Sequence, residues 1–149
     1  MTVAYDFDGV LAEAPPESAK AWRRMKGPER LERRAFLARW YLTAKGLYKP
    51  TEYGFHVITA RSAWAKETSL DWLMARFGDR MIGLHMLEGA RNLENVVKFK
   101  ARVLVEFGVT DYSEDNRAVV TALRKAVPTC RVWHYKGGRM NLDYPEAPL

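Results

Sequence analysis

Residues 3–11 read VAYDFDGVL, and this stretch decides how the rest of the chain is interpreted. An apolar run typical of a buried strand ends in two carboxylates, Asp6 and Asp8, and Gly9 follows at once. Crowding like charges at the end of a buried strand is unfavourable unless something positive lies between them. We therefore expect a bound cation, a reaction or both at this strand end.

The rest of the chain alternates between β-rich apolar runs and helical patterns. Four further strand-like segments follow the first one: YGFHVIT (53–59), RMIGLHML (80–87), VTDYSED (109–115) and TCRVWHY (129–135). Alternation of this kind predicts an α/β fold with a mostly parallel, five-stranded sheet and helices on both faces. In such sheets the ligand site lies at the carboxyl ends of the strands.

A chain of 149 residues predicts a single domain, residues 1–149, with room for a sizeable core. Between the first two strands, residues 17–49 predict two short helices that form a basic insert bordering the site. That insert holds ten lysines and arginines against three acidic residues, so the net charge of +6 comes entirely from it. After Tyr135, residues 136–149 lack periodicity and predict an irregular tail. A basic border attracts polyanions, although a charged run is often only a solvated face.

The single cysteine, Cys130, cannot form an internal disulfide, which predicts a reducing, cytoplasmic setting. No apolar stretch approaches the length that spans a membrane, and the first 16 residues do not resemble a signal peptide. These patterns argue against a membrane protein and a disulfide-stabilised secreted domain.

Polar side chains end three of the predicted strands. Thr59 ends the second strand, and Glu114 and Asp115 end the fourth, so they join Asp6 and Asp8 at one edge of the sheet. Hard oxygen ligands of this kind suit Mg²⁺, which takes one or two carboxylates together with waters and substrate phosphate. The sequence therefore predicts a magnesium site.

These segments resemble the motifs of the haloacid dehalogenase (HAD) superfamily of phosphotransferases. DFDGV (6–10) resembles its first motif, ITAR (58–61) its second, a lysine on the helix before strand four its third, and SEDN (113–116) its fourth. The resemblance implies a HAD-like Rossmann fold and a phosphatase, a phosphoric monoester hydrolase. The small insert implies the capless or minimally capped branch, and VITARSAW (57–64) is similar to polynucleotide 3′-phosphatases and 5′-nucleotidases.

The resemblance also implies catalytic roles. Asp6 would attack phosphorus and form an aspartyl-phosphate, while Asp8 would protonate the leaving oxygen and then activate water. Thr59 would donate to a phosphoryl oxygen, and a lysine would neutralise charge beside the nucleophile. Lys100 shares a helical stripe with apolar residues that face the sheet, so we expect it to be that lysine, with Lys98 as the alternative.

For the metal, the resemblance implies Mg²⁺ held by the Asp6 carboxylate, the backbone carbonyl of Asp8, and Asp115. Glu114 would be a ligand through water or an outer group. We expect Arg61 to bind the substrate, with Ala60 and Gly9 beside it. For Arg61 two interpretations remain open: a contact to the substrate phosphate, or a structural arginine.

Three functions remain open from the sequence. The first is a Mg²⁺-dependent phosphomonoesterase acting on phosphorylated DNA or RNA ends or on nucleotides. The second is the same chemistry on a small metabolite such as a sugar phosphate, with the basic insert only a solvated face. The third is a nucleic-acid-binding module that keeps the fold without turnover.

Overall fold

Six strands form one sheet in the computed structural model, which describes residues 1–16 and 28–142. Their bounds are β1 (Val3–Tyr5), β2 (Phe55–Thr59), β3 (Met81–Met86), β4 (Asp111–Glu114), β5 (Arg131–Lys136) and β6 (Arg139–Asn141). The strand order is β3-β2-β1-β4-β5-β6. Every neighbouring pair is parallel except β5 and β6, which run antiparallel.

Four α-helices accompany this sheet in the described part of the chain. They are α1 (Pro28–Thr43), α2 (Lys66–Phe77), α3 (Leu93–Glu106) and α4 (Arg117–Ala126). The second helix predicted for the basic insert is observed as α1, whereas the first, over residues 17–26, lies outside the described residues. None of the described helices has the length and apolar character needed to cross a membrane.

Two apolar layers cover the two faces of the sheet. On one face, Val103 of α3 and Leu123 of α4 pack in one buried cluster with Tyr112 of β4. On the other, Trp72 of α2 packs in a second cluster with Val57 of β2. Strands covered on both faces read as continuous apolar runs, which is why β1 and β2 are recognisable in the sequence. The predicted α/β fold is confirmed.

The sheet has one strand more than predicted. Residues 139–141 form β6, so the prediction of an irregular tail after Tyr135 is wrong for this segment. Gly137 and Gly138 both have positive φ, 59° and 78°, and connect β5 to β6 in a two-residue turn. A Gly-Gly pair between short strand-like segments is a recognised hairpin signal, and it stands in the sequence as KGGR (136–139).

The central position of β1 assembles the site. Tyr5 pairs with Val57 of β2 on one side and with Ser113 of β4 on the other. The carboxyl ends of these three parallel strands therefore meet at one edge of the sheet. Glu114, the last residue of β4, and Asp6, which directly follows β1, therefore become neighbours in space.

Candidate functional site

A buried group of charges lies where β1 and β4 end. The ammonium of Lys100 donates to Oδ1 of Asp6 at 3.1 Å and to Oε1 of Glu114 at 2.6 Å. All three residues are buried, with Lys100 only 2% exposed. The chain thus brings an acid from β1, an acid from β4 and a base from α3 into direct contact.

The two lysines weighed from the sequence lie on different sides of α3. Lys100 turns inward with Val96 and Val103, which are buried against the sheet. Lys98 is exposed and pairs with Glu94 on the surface at 2.9 Å. Only Lys100 therefore reaches the group of charges.

Glu114 is held in place through both carboxylate oxygens. Oε1 accepts the Tyr112 hydroxyl at 2.8 Å in addition to the Lys100 ammonium, and Oε2 accepts the backbone N–H of Asn116 at 3.1 Å. Tyr112 is a site residue that the sequence analysis missed, because an aromatic residue in a buried strand reads only as core. With three hydrogen bonds already accepted, Glu114 suits an anchoring role more than direct contact with a ligand.

The surroundings of these groups shift their pKa values in opposite directions. Burial and the charge of Glu114 raise the pKa of Asp6 well above its usual range, against the opposing effect of Lys100. Burial also acts to raise the pKa of Glu114, but the charge and hydrogen bond of Lys100 outweigh it and bring the value to about 2. For Asp115, burial and the charge of Glu114 raise the pKa to about 6. One ammonium does not compensate three carboxylates, and this surplus of negative charge adds to burial in raising the pKa values of Asp6 and Asp115.

This acidic group could hold a metal ion. One ligand oxygen from each of Asp6, Glu114 and Asp115 lies within 4.8 Å of the other two. The carboxylates fit a hard divalent cation by chemistry, since Mg²⁺ prefers oxygen ligands, and by charge, since it would remove the surplus just described. The predicted donors Asp6, Glu114 and Asp115 are therefore brought together.

Gly9 shapes the edge of this acidic group. A Cβ at position 9 would lie 2.0 Å from Oδ2 of Asp115, and the residue has a φ of 85°, which favours glycine. Space and backbone conformation both require glycine here. Gly9 thus makes room for Asp115, and it does not border the cavity described below.

Asp8 points to a different partner. Its carboxylate accepts two hydrogen bonds from the Arg61 guanidinium, Nη2 to Oδ1 at 2.6 Å and Nε to Oδ2 at 3.0 Å. Fork-to-fork pairs of this kind are strong and fix the orientation of both groups. The carboxylate of Asp8 is thus oriented by Arg61 rather than by the acidic group.

Arg61 is fixed on every side, at 1% exposure. Its third donor, Nη1, reaches Oγ of Ser69 at 2.9 Å. The guanidinium carbon lies 3.6 Å from the ring centre of Phe7 and 3.8 Å from that of Tyr41, so the group is stacked between two aromatic rings. Of the two readings of Arg61, this placement matches a residue that positions Asp8, and a direct substrate contact stays a prediction.

A cavity of about 350 Å³ opens over these residues. Of the nine site residues predicted from the sequence, all except Gly9 and Arg61 line it. Thr59 lies on its wall at the end of β2, where Oγ1 accepts the backbone N–H of Arg61 at 3.1 Å and leaves the hydroxyl proton to be donated. Tyr41 of α1 and Arg91 of the β3–α3 connection complete the rim.

Replacement of Arg61 by lysine tests whether the fork matters. Arg61→Lys keeps one positive charge but loses the second bond to Asp8, the bond to Ser69 and the planar stack. We expect it to lower the free energy of unfolding in urea by about 2–3 kcal/mol. The exposed Arg39→Lys on α1 is the matched control, with a change within about 0.5 kcal/mol. Equal values for the two variants would contradict this account of Arg61.

Comparison with known proteins places the fold but not the family. No protein-family model and no curated protein matches this chain. A solved chain from the "Structure of the Pnkp1/Rnl/Hen1 RNA repair complex" is similar, with 17% identity and a TM-score of 0.53. The match covers 90% of the present chain and 42% of that chain, so this protein spans less than half the length of its structural neighbour. At this identity the likeness establishes that the two share an α/β fold.

Proposed function

We propose that the protein is a Mg²⁺-dependent phosphomonoesterase of the HAD type that acts through an aspartyl-phosphate on phosphorylated nucleic-acid ends or nucleotides. The observation that carries the proposal is the meeting of Asp6, Lys100 and the Asp8–Arg61 pair beneath one cavity. A binding module has no need of a buried nucleophile beside an oriented second carboxylate. The order and spacing of the motif-like segments support the same reading.

The chemistry assigned to Asp6 follows from its position. A carboxylate oxygen of Asp6 attacks phosphorus, the P–O bond to the leaving group breaks, and an acyl phosphate forms on Asp6. Lys100 holds the side chain through Oδ1 at 3.1 Å and offsets charge beside the phosphoryl group. The hydroxyl of Thr59 donates to a phosphoryl oxygen from the cavity wall.

Asp8 moves the protons in both halves of the reaction. It gives a proton to the departing oxygen in the first half, and in the second it takes one from the water that attacks the acyl phosphate. The water oxygen bonds to phosphorus and the P–O bond to Asp6 breaks, so free phosphate leaves and the Asp6 carboxylate is regenerated. Each Asp8 oxygen accepts one bond from Arg61 and keeps a second lone pair, so Arg61 can orient the carboxyl group both with and without the proton.

Asp6 and Asp115 are the side chains best placed to hold Mg²⁺, with Glu114 as the anchor behind them. When bound, Mg²⁺ would supply charge neutralisation on the transferring phosphoryl group. Two observations support the nucleic-acid part of the proposal: the arginine-rich α1 beside the cavity, and a structural neighbour that comes from an RNA repair complex.

Chelation of the metal is expected to abolish activity. Phosphate release is measured with Mg²⁺ on a generic aryl phosphate, nucleoside 3′- and 5′-monophosphates, sugar phosphates, and oligonucleotides phosphorylated at either end. Addition of excess EDTA should reduce release to the level of the Asp6→Asn protein, and an excess of Mg²⁺ should restore it.

Three other outcomes would contradict parts of the proposal. Release that survives EDTA would remove the metal from the mechanism. A preference for sugar phosphates would identify a small-metabolite phosphatase. Absence of release on the whole panel, with oligonucleotide binding retained, would identify a non-catalytic binding module.

A further inference from the structure

Four arginines cluster beside the cavity. Arg30, Arg33 and Arg34 come from α1, and Arg91 comes from the β3–α3 connection, where it lies on the cavity rim. Partial burial and the charges of Arg30, Arg34 and Arg91 lower the pKa of Arg33, so the other three charges lie close enough to act on Arg33. We call these four residues the arginine cluster.

The arginine cluster continues a stripe of α1 that leads into the cavity. At 100° per residue, Arg30 and Arg34 share one face of α1 with Leu37 and Tyr41, both of which border the cavity. At a rise of 1.5 Å per residue, Arg34 and Arg30 lie about 10 to 17 Å along the helix from Tyr41. The stripe therefore runs from the buried site outward to the charges.

The opposite face of α1 offers an internal control. Arg39 and Glu32 are exposed there, about 180° around the helix from Arg30. Positive charge is thus concentrated on the side of α1 that faces the cavity. On that side Arg34 is also fixed, because its guanidinium carbon lies 5.5 Å from the ring centre of Trp64.

Crowded guanidinium groups repel one another, and an anion between them relieves the repulsion. Arg34 and Arg30 lie about 10 and 17 Å along α1 from Tyr41, and this spacing matches a chain of phosphates better than one isolated phosphate. In a strand at roughly 3.4 Å per nucleotide, that distance corresponds to about three to five nucleotides. A cavity of about 350 Å³ is at the small end for ligand sites, which suits one terminal nucleotide of a single strand.

We propose that the arginine cluster binds the phosphodiester backbone of a single-stranded polynucleotide whose terminal phosphate occupies the cavity. The inference rests on the proposed function and narrows its substrate to strands longer than a mononucleotide. Affinity then comes from the backbone and is independent of base sequence. DNA and RNA strands share this chemistry, and both are included in the test.

The first test is a length series of end-phosphorylated oligonucleotides of one to ten nucleotides. For the native protein, kcat/KM should rise until the strand has about five nucleotides and then level off. In Arg34→Gln/Arg91→Gln protein, the ratio of kcat/KM for a ten-nucleotide strand to that for the aryl phosphate should fall about tenfold or more. Arg39→Gln, which removes one charge from the opposite face of α1, should leave the ratio unchanged.

The second test measures binding without turnover. Anisotropy of a labelled ten-nucleotide strand is titrated with Asp6→Asn protein at several salt concentrations, with and without the arginine substitutions. Each arginine that contacts a phosphate should contribute about 0.7 to the slope of log K against log salt, so Arg34→Gln/Arg91→Gln should reduce the slope by about 1.4. Arg39→Gln should leave the slope as it is.

The two tests separate failure of this inference from failure of the proposed function. Phosphatase activity that is independent of strand length, with a salt slope insensitive to Arg34 and Arg91, would overturn the arginine cluster as a strand site and leave the phosphatase standing. A slope that falls as expected in a protein without any turnover would support the strand site and overturn the phosphatase.

Discussion

Asp6→Asn should reduce phosphate release by at least about 10³-fold and yet leave the protein as stable as the native form. The loss of activity follows because an amide oxygen does not replace the carboxylate as nucleophile. Kinetics with the aryl phosphate and with the oligonucleotide that is turned over fastest measure the first effect. Urea unfolding in EDTA measures the second.

The expected stability has an electrostatic reason. An asparagine at position 6 keeps an oxygen where Asp6 Oδ1 accepts the Phe7 N–H at 2.8 Å and the Lys100 ammonium at 3.1 Å. The substitution removes one charge from a group in which burial and Glu114 already raise the pKa of Asp6. Lys100 retains Glu114 as a charged partner at 2.6 Å.

The free energy of unfolding in EDTA should therefore equal or exceed that of the native protein. The exposed Asp71→Asn on α2 is the control for the substitution itself, with changes within about 0.5 kcal/mol. A loss of more than about 2 kcal/mol in Asp6→Asn, or activity that persists, would contradict the role given to Asp6.

Lys100→Met should lower the free energy of unfolding by about 3–5 kcal/mol. Removing the ammonium leaves the carboxylates of Asp6 and Glu114 buried without an opposite charge. An uncompensated charge is far less stable in the protein interior than in water. A typical domain has about 5–15 kcal/mol of stability, so the variant should still fold at low urea concentration. Urea unfolding in EDTA, monitored by circular dichroism, gives the value.

Lys98→Met on the same helix is the matched control for Lys100→Met. Lys98 pairs with Glu94 at 2.9 Å, but both side chains are largely exposed, with 72% and 75% of their surface accessible. Exposed pairs contribute little, and we expect a change within about 0.5 kcal/mol. Similar losses in the two variants would mean that Lys100 does not neutralise the buried carboxylates.

The sequence predicted much of the fold, because its determining patterns are local. Strands buried on both faces appear as apolar runs, and the stripe on α3 identifies Lys100 as the inward lysine. The acids after β1 and β4 are likewise expected at one edge, since parallel strands end on the same side. Each of these inferences needs only a short window of sequence.

Features that depend on distant segments could not be predicted in the same way. The partner of Arg61 is Asp8, 53 residues away, and its stacking ring comes from Tyr41 in the basic insert. In the sequence, Tyr41 reads only as a core aromatic on a helix, and nothing local ties it to Arg61. The β5–β6 hairpin is a different case: its Gly137–Gly138 signal is local, and the prediction of an irregular tail does not take it into account.

The central place of β1 has a consequence for how the chain is made. Asp6 and Lys100 are separated by 94 residues, and β4, which flanks β1, begins only at Asp111. During synthesis, β1 emerges before the other strands of the sheet, and its second edge stays unpaired until β4 has been translated. Parallel pairings between distant segments form slowly, and the waiting strand is exposed to aggregation. Asp6, the proposed nucleophile, is therefore translated 94 residues before Lys100, and its surroundings are completed only after β4 has followed.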